Sequence, residues 1–399
     1  MLKTIIAAIC SSALLFGGNA VAQGAGKGGA KGAAKGDAKG DAKGDAKGAP
    51  PSDEWKALLQ DAANLFFEGK FDGGVVVAKK ALELAESERG PNHPSVAASL
   101  NRLAELYRAL GQYAAAEPLY LRALAIRESA RNPDQSAIAQ SLGNLSQLYM
   151  AQARYAAAEP LIKRALAISE SAHGAEHPNV ATALNGLADL YREQGKYAEA
   201  ESLFKRSIGI REKPLSPGQP QAALPGNQAA SSVNQLAFSY IGLAAIYRGQ
   251  GKYEEAEALY KRSIAVVDDS RDRDHPLMAR SLSGLASLHL RQGEYDSAET
   301  LFKRAIEILE NSLDRNHPRM AASLQGLGDV YAASGKNVAA EALLKRALEI
   351  RVAALGGQHP DVATTLEKLS AVYARQNKNA ESRQSADRAA AIRLAVPRK

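Results

Sequence analysis

Apolar side chains recur in this chain with a helical period. Leu100, Leu103, Ala104 and Tyr107 stand at i, i+3, i+4 and i+7, which puts them on one face of a helix. Gly111 follows, a residue suited to the left-handed position that ends a helix. Ala116, Leu119, Tyr120 and Ala123 then form a second apolar face, so the local unit is two helices joined by a tight turn. Pro118 and its counterpart Pro160 are expected in the first turn of the second helix, where a missing N–H costs little.

The same pattern returns along most of the chain. The aromatic before the turn marks its period: Tyr107, Tyr149 and Tyr191 are 42 residues apart, and after a 56-residue step to Tyr247 the spacing of 42 resumes at His289, Tyr331 and Tyr373. Leu65 extends the series back by one, which makes eight units. Repeats 1–4 are assigned to 54–213 and repeats 5–8 to 233–396, with a Pro/Gly-rich inserted loop over 214–232 expected to project between them and to act as the hinge of the array. Small residues recur where paired helices must come close: Ala104, Ala188, Ala244 and Ala286 on first helices, Ala116, Ala158, Ala200, Ala256 and Ala298 on second ones. One hairpin cannot bury its own apolar stripe, so neighbours must stack into an all-α superhelix with a concave and a convex side. Ser382 and Ala386 replace the alanine and aromatic of the last second helix, as a polar cap requires.

The first fifty residues change the picture of the ends. Met1–Ala22 reads as a secretory signal: Lys3 is the positive start, 4–18 the apolar stretch, and Ala20-Val21-Ala22 a small-residue cleavage site before Gln23. The protein is therefore expected to be exported, periplasmic or secreted. The single cysteine, Cys10, leaves with the signal, so disulfides and thiolate chemistry are excluded from the mature chain. Residues 23–53 form a Lys/Gly/Ala-rich segment repeating Ala-Lys-Gly-Asp, read as a disordered, hydrated tether. Its lysines could touch an anionic wall or membrane surface. Of the formal charge of +7, Lys3 supplies one and residues 23–50 three, so half of the mature chain's basicity sits in that tail. No nucleic-acid surface is implied.

Several constellations mimic chemistry. Five His-Pro pairs recur at His93, His177, His275, His317 and His359. Zinc needs its ligands within about 2.1 Å, whereas equivalent residues of stacked helices lie at least about 8–10 Å apart, so each pair reads as a helix start. His173-Gly174-Ala175-Glu176-His177 fits an inverted zinc-protease motif, but Gly174 and Pro178 place it in a turn between units. Gly24–Gly29 matches G-x-G-x-x-G with neither strand nor helix beside it. Lys-Arg pairs recur at 163–164, 205–206, 261–262, 303–304 and 345–346, each preceded by a glutamate one turn earlier, which makes a solvated face the default. No catalytic set, metal site or cofactor motif emerges, and the chain is read as no enzyme.

The spacing Ala104-x2-Tyr107 with Ala116-x3-Tyr120, repeated at Ala188, Tyr191, Ala200 and Phe204, resembles the tetratricopeptide repeat. The 42-residue period and the His-Pro spacer make it similar to the kinesin light chain-like subtype. The resemblance implies a right-handed α-solenoid whose first helices line a groove that binds peptide segments of other proteins. Residues flanking the buried leucines are then the candidate partner-binding groove: Asn101, Glu105 and Arg108; Asn144 and Gln147; Asn185, Asp189 and Arg192; Arg248; Arg280 and Arg291; and Asp329. Amides suit a partner's backbone, and arginines its acidic side chains. Where the subtype carries a second asparagine, only Asn144 keeps it; Arg102, Gly186, Gly242, Gly284, Gly326 and Lys368 stand elsewhere, and glycine there is expected either to admit bulk or to lose a contact. The expected function is a scaffold or adaptor in the cell envelope. The alternative is a structural, wall-associated element held through the tail.

Overall fold

The computed structural model describes residues 52–152, 154–213, 226–269, 276–313 and 316–395. The signal at 1–22, all but the last two residues of the tether, residues 214–225 of the expected loop and His275 lie outside the described residues.

All regular structure among the described residues is helical, in consecutive hairpins. Unit 1 pairs α1 (Asp53–Phe67) with α2 (Phe71–Arg89), unit 2 α3 (Pro94–Ala109) with α4 (Tyr113–Glu128), and unit 3 α5 (Gln135–Ala151) with α6 (Tyr155–His173). Unit 4 pairs α7 (Pro178–Glu193) with α8 (Tyr197–Glu212), and unit 5 α9 (Gly226–Gln250) with α10 (Tyr253–Asp269). Unit 6 pairs α11 (Pro276–Gln292) with α12 (Tyr295–Ser312), unit 7 α13 (Met320–Ala333) with α14 (Asn337–Leu355), and unit 8 α15 (Pro360–Arg375) with α16 (Asn379–Ala395). Each helix packs on the next, and first helices also meet first helices of adjacent units, so they form the inner, concave layer of an α-solenoid.

The small-residue columns do what their size allows. Ala104, Ala188, Ala244 and Ala286 on first helices, and Ala116, Ala158, Ala200, Ala256 and Ala298 on second ones, are all fully buried. The hairpin turns of units 1, 2 and 4–8 are left-handed closes. Gly111 has φ +71°, its N–H donates to Arg108 O at 3.0 Å, and that of Gln112 donates to Tyr107 O at 2.8 Å. In the last unit Asn377 takes this role at φ +60°.

Three expectations need correction. Helix α4 starts directly after the turn, at Tyr113, so Pro118 is its sixth residue and not in its first turn; Pro160 stands likewise in α6. Each removes one intrahelical hydrogen bond, on an exposed face where water can replace it. The inserted loop is shorter than expected: α9 begins at Gly226, because no proline after Pro225 interrupts the helix, so 226–232 belong to unit 5. The junction beside that insertion is also densely tied. Tyr247 donates to Glu201 at 3.0 Å, Ser239 to Asn185 Oδ1 at 2.8 Å, and Ser207 and Ser239 share a hydrogen bond at 3.1 Å.

Three His-Pro pairs are helix starts. Nδ1 of His93, His177 and His359 accepts from the backbone N–H two residues on, at 3.1–3.2 Å, with proline opening the helix. His317 differs. It accepts from Arg319 N at 3.1 Å, but α13 starts only at Met320. Its ring is buried against Phe71 of unit 1, with ring centroids 5.8 Å apart. A Cβ on Gly69 would lie 2.3 Å from His317 Cδ2, and one on Gly111 3.2 Å from Ala354 O. The array therefore winds far enough for units 1 and 2 to meet unit 7.

Candidate functional site: the polar lining of the concave face

The first helices present a line of polar side chains inward, and most of them are buried. In units 2 and 3, Arg102 pairs with Glu105 at 2.5 Å, and Asn144 Nδ2 donates to Glu105 Oε1 at 3.1 Å. Asn101 Nδ2 donates to Ser141 Oγ at 3.2 Å. In unit 4, Asn185 Nδ2 donates to Gln235 O at 3.3 Å. Asp189 holds Arg192 through Nε at 3.1 Å and Nη2 at 2.7 Å, and the same guanidinium reaches Glu193 at 2.5 Å. Burial pushes the Glu193 carboxyl up to about 7; Arg192 opposes this, while the charges of Asp189 and of Asp361 from unit 8 add to it.

Arg280 of unit 6 lies opposite that cluster. Its guanidinium stacks over Phe238 at 4.8 Å, and its Nη1 is buried without a hydrogen-bond partner. Burial lowers its pKa to about 10, Asp189 raises it and Arg192 lowers it. Asn101 Oδ1 and Gln147 Nε2 are likewise buried without partners. Asp329 pairs with Lys368 of unit 8 at 2.6 Å.

Of the residues expected in the groove, Asn101, Glu105, Arg108, Asn144, Gln147, Asn185 and Asp189 are buried in this lining, with Arg192 at its edge. Arg248 and Arg280 are half-buried. Arg291 is exposed near the end of α11 and lies apart from the ladder. The glycines have a reason of their own. A Cβ on Gly242, Gly284 or Gly326 would lie 2.3 Å from the ring of Phe204, Tyr260 or Phe302, the aromatic of the preceding second helix. At these three positions the glycine makes room for a core ring.

Two sets of residues escaped the sequence reading. A serine column, Ser99, Ser141, Ser239, Ser281, Ser323 and Thr365, is buried between units and accepts or shares a hydrogen bond at each. Its 42-residue recurrence was visible. Arg127, Arg211 and Arg351 close second helices: Arg127 donates to Ser141 Oγ at 2.9 Å and Arg211 to Thr182 Oγ1 at 2.7 Å, while Arg351 bonds Thr365. Burial lowers Arg127 to about 10 and Arg211 to about 9. His173 ends α6 and His177 caps α7; the rings stack at 4.4 Å, a turn geometry and not one helical face. Among the described residues no three acidic, histidine or cysteine side chains come together so as to hold a metal ion.

The tetratricopeptide repeat family model matches residues 57–129, 137–213, 235–311, 278–351 and 319–395, nearly all of the stacked helices. The chain belongs to the tetratricopeptide repeat family. Its solved likenesses include BtubC (BKLC) of P. vanneervenii, at 22% identity over 62% of this chain and 95% of that one, TM-score 0.47. They include a putative kinesin light chain of Podosopora anserina with nearly identical repeats, at 24% identity over 56% and 100%, TM-score 0.41. They include too the apo quorum sensor NprR of B. thuringiensis, at 16% identity over 85% and 87%, TM-score 0.58. The last shows a shared fold. No curated protein matches the sequence.

On the outer side of the tetratricopeptide array, the Lys-Arg row is neutralised. Lys163, Lys205, Lys261, Lys303 and Lys345 each pair at 2.7 Å with the glutamate one turn before. Arg164 and Arg206 reach Glu128 and Glu170 of the preceding unit at 2.7 Å. Tetratricopeptide units are thus joined by their own charges.

Proposed function

We propose that this chain is a non-enzymatic scaffold of the cell envelope that holds an extended polypeptide segment along its concave face. One observation carries the reading. Asn101 Oδ1, Gln147 Nε2 and Arg280 Nη1 are buried polar atoms on the inner helices with no partner, and buried polar atoms left unpaired are costly. An extended backbone supplies a donor for the first and an acceptor for the second, and an acidic side chain satisfies the guanidinium. The tetratricopeptide fold supports the reading, since such arrays present extended concave binding surfaces. The signal-like start of the sequence supports export.

Crosslinking in the native envelope followed by affinity capture tests it. The combined Gln147→Ala and Arg280→Ala variant is expected to lose the captured polypeptide while its helical circular dichroism stays unchanged. Capture at the wild-type level would overturn the groove reading. Amino-terminal sequencing of protein from the periplasmic fraction tests export, with Gln23 as the expected first residue.

A further inference from the structure

The lining of unit 4 brings two acids to one base. Asp189 and Glu193, one turn apart on α7, share the guanidinium of Arg192. Its Nε and Nη2 donate to Asp189 at 3.1 and 2.7 Å, and Nη2 also reaches Glu193 at 2.5 Å. The side chains of Asp189, Arg192 and Glu193 are 3%, 10% and 6% exposed. With both carboxylates ionised, one positive charge answers two negative ones away from water, and the charge left over is costly. A proton on one carboxylate removes it. Glu193 is the group that takes the proton, because the guanidinium gives Asp189 two bonds and Glu193 one. Outside unit 4 the place of Glu193 holds Phe67, Ala109, Ala151, Gly249, Arg291, Ala333 or Arg375, none of them acidic.

The surrounding helices do not supply the missing cation. Helix α5 has no acidic or basic side chain. Helix α6 brings Tyr155, whose hydroxyl feels Asp189, Arg192 and Glu193. Lys196, in the turn before α8, lies over the ring of Tyr191 at 5.0 Å. Arg248 ends α9 at the place Arg192 takes on α7, and Asp361 of α15 adds a further negative charge. Tyr260 of α10 acts on Arg192, and Arg280 of α11 acts with Asp189 and Arg192. Arg280 is the guanidinium that offers a buried Nη1 to a ligand.

We infer that Glu193 is a proton gate on the concave face: protonated, it admits an acidic side chain of a bound polypeptide beside Arg280, and as a carboxylate it turns that side chain away. The role of the gate rests on the reading of the concave face as a polypeptide groove; the uptake of the proton does not. Two carboxylates brought together in a dry site repel strongly, so the incoming acid and the proton on Glu193 favour one another. Burial first, then the charges of Asp189 and Asp361 against the pull of Arg192, put the Glu193 carboxyl at about 7. The gate therefore stands open below that pH and closed above it.

Two measurements on the full chain test this. In potentiometric titration from pH 8.5 to 5.5, the parent should bind about one proton more than Glu193→Gln. Equal uptake by the two would overturn the gate. The second measurement uses a fluorescein-labelled, end-blocked decapeptide of alternating glycine and glutamate, with a glutamine twin, read by fluorescence polarisation. A group titrating near pH 7 is about nine-tenths protonated at pH 6 and about one-tenth at pH 8, so the parent should hold the glutamate peptide about tenfold more tightly at pH 6. Glu193→Gln should hold it equally at both values, and the glutamine twin should show no such change on the parent. Equal affinity of the parent for the glutamate peptide at pH 6 and 8 would also overturn the gate while leaving the groove standing. A glutamate peptide bound by neither protein would count against the groove and the role given to Glu193, and the proton count would stand apart from it.

Discussion

The ring of Phe204 lies against Gly242 across the junction of units 4 and 5, where a Cβ would sit 2.3 Å from the ring's Cζ. Both partners are backed by other packed side chains, so neither can give way without moving a helix. Gly242→Ala is expected to destabilise the array by about 1–3 kcal/mol through overpacking, read as a lower urea midpoint by circular dichroism. Adding Phe204→Leu should recover part of that loss. An alanine variant as stable as the parent would mean that the ring is free to move.

Trp55, the single tryptophan of the chain, donates its indole N–H to Ser99 Oγ at 2.9 Å, joining α1 to the first helix of unit 2. Ser99→Ala leaves that buried donor unpaired, at a cost of about 1–3 kcal/mol. Unit 1 has only one neighbour along the stack, so it should melt before the rest. Tryptophan emission should therefore shift red at lower urea in the variant than in the parent, while the helical signal of the remaining units changes later. Coincident transitions would contradict the separate melting of unit 1.

The hairpins, the small-residue columns and the left-handed turns were legible because each depends on neighbours within about forty residues of sequence, and the period repeats them. The reason for Gly242, Gly284 and Gly326 was not legible, since the ring that requires each belongs to the unit before it. The repeat position shared by Asn101 and Asn185, and the next one, held by Asn144, placed these residues on first helices, but their burial was not legible. It depends on how closely first helices of adjacent units pack, which sets Asn101 on Ser141, Asn144 on Glu105 and Asn185 on Gln235. Arg291 misled because it lies one position past the inward face that Arg248 occupies in the preceding unit.

Acid should loosen unit 8. His359 Nδ1 must stay unprotonated to accept from Asp361 N at 3.2 Å, and burial, aided by the Arg351 charge, lowers its pKa to about 4 from 6.5. The unfolded chain therefore takes up the proton first, so stability is full above about pH 6.5 and falls as pH drops toward 4. His359→Asn keeps a capping acceptor without a titration in that window. Between pH 7 and 4.5 the parent should lose on the order of 2 kcal/mol more than the variant, measured by urea unfolding. Asp361 titrates in the opposite sense but is present in both, so the difference isolates His359.

Glu193 acts on the alkaline side. Its carboxyl is raised from 4.5 to about 7, by burial first and by the charges of Asp189 and Asp361 against the pull of Arg192. A raised acid binds its proton more tightly when folded, so the folded chain loses stability as pH climbs from about 4.5 through 7. Glu193→Gln is a fixed version of the protonated form, and Arg192 keeps its two bonds to Asp189. At pH 5 variant and parent should unfold at the same urea concentration. At pH 8 the variant should be more stable by on the order of 2 kcal/mol, discounted for the pair with Arg192 that it gives up. If the parent were instead the more stable at pH 8, the Arg192 pair would outweigh the burial of the charge, and the concave face would hold Glu193 as a carboxylate.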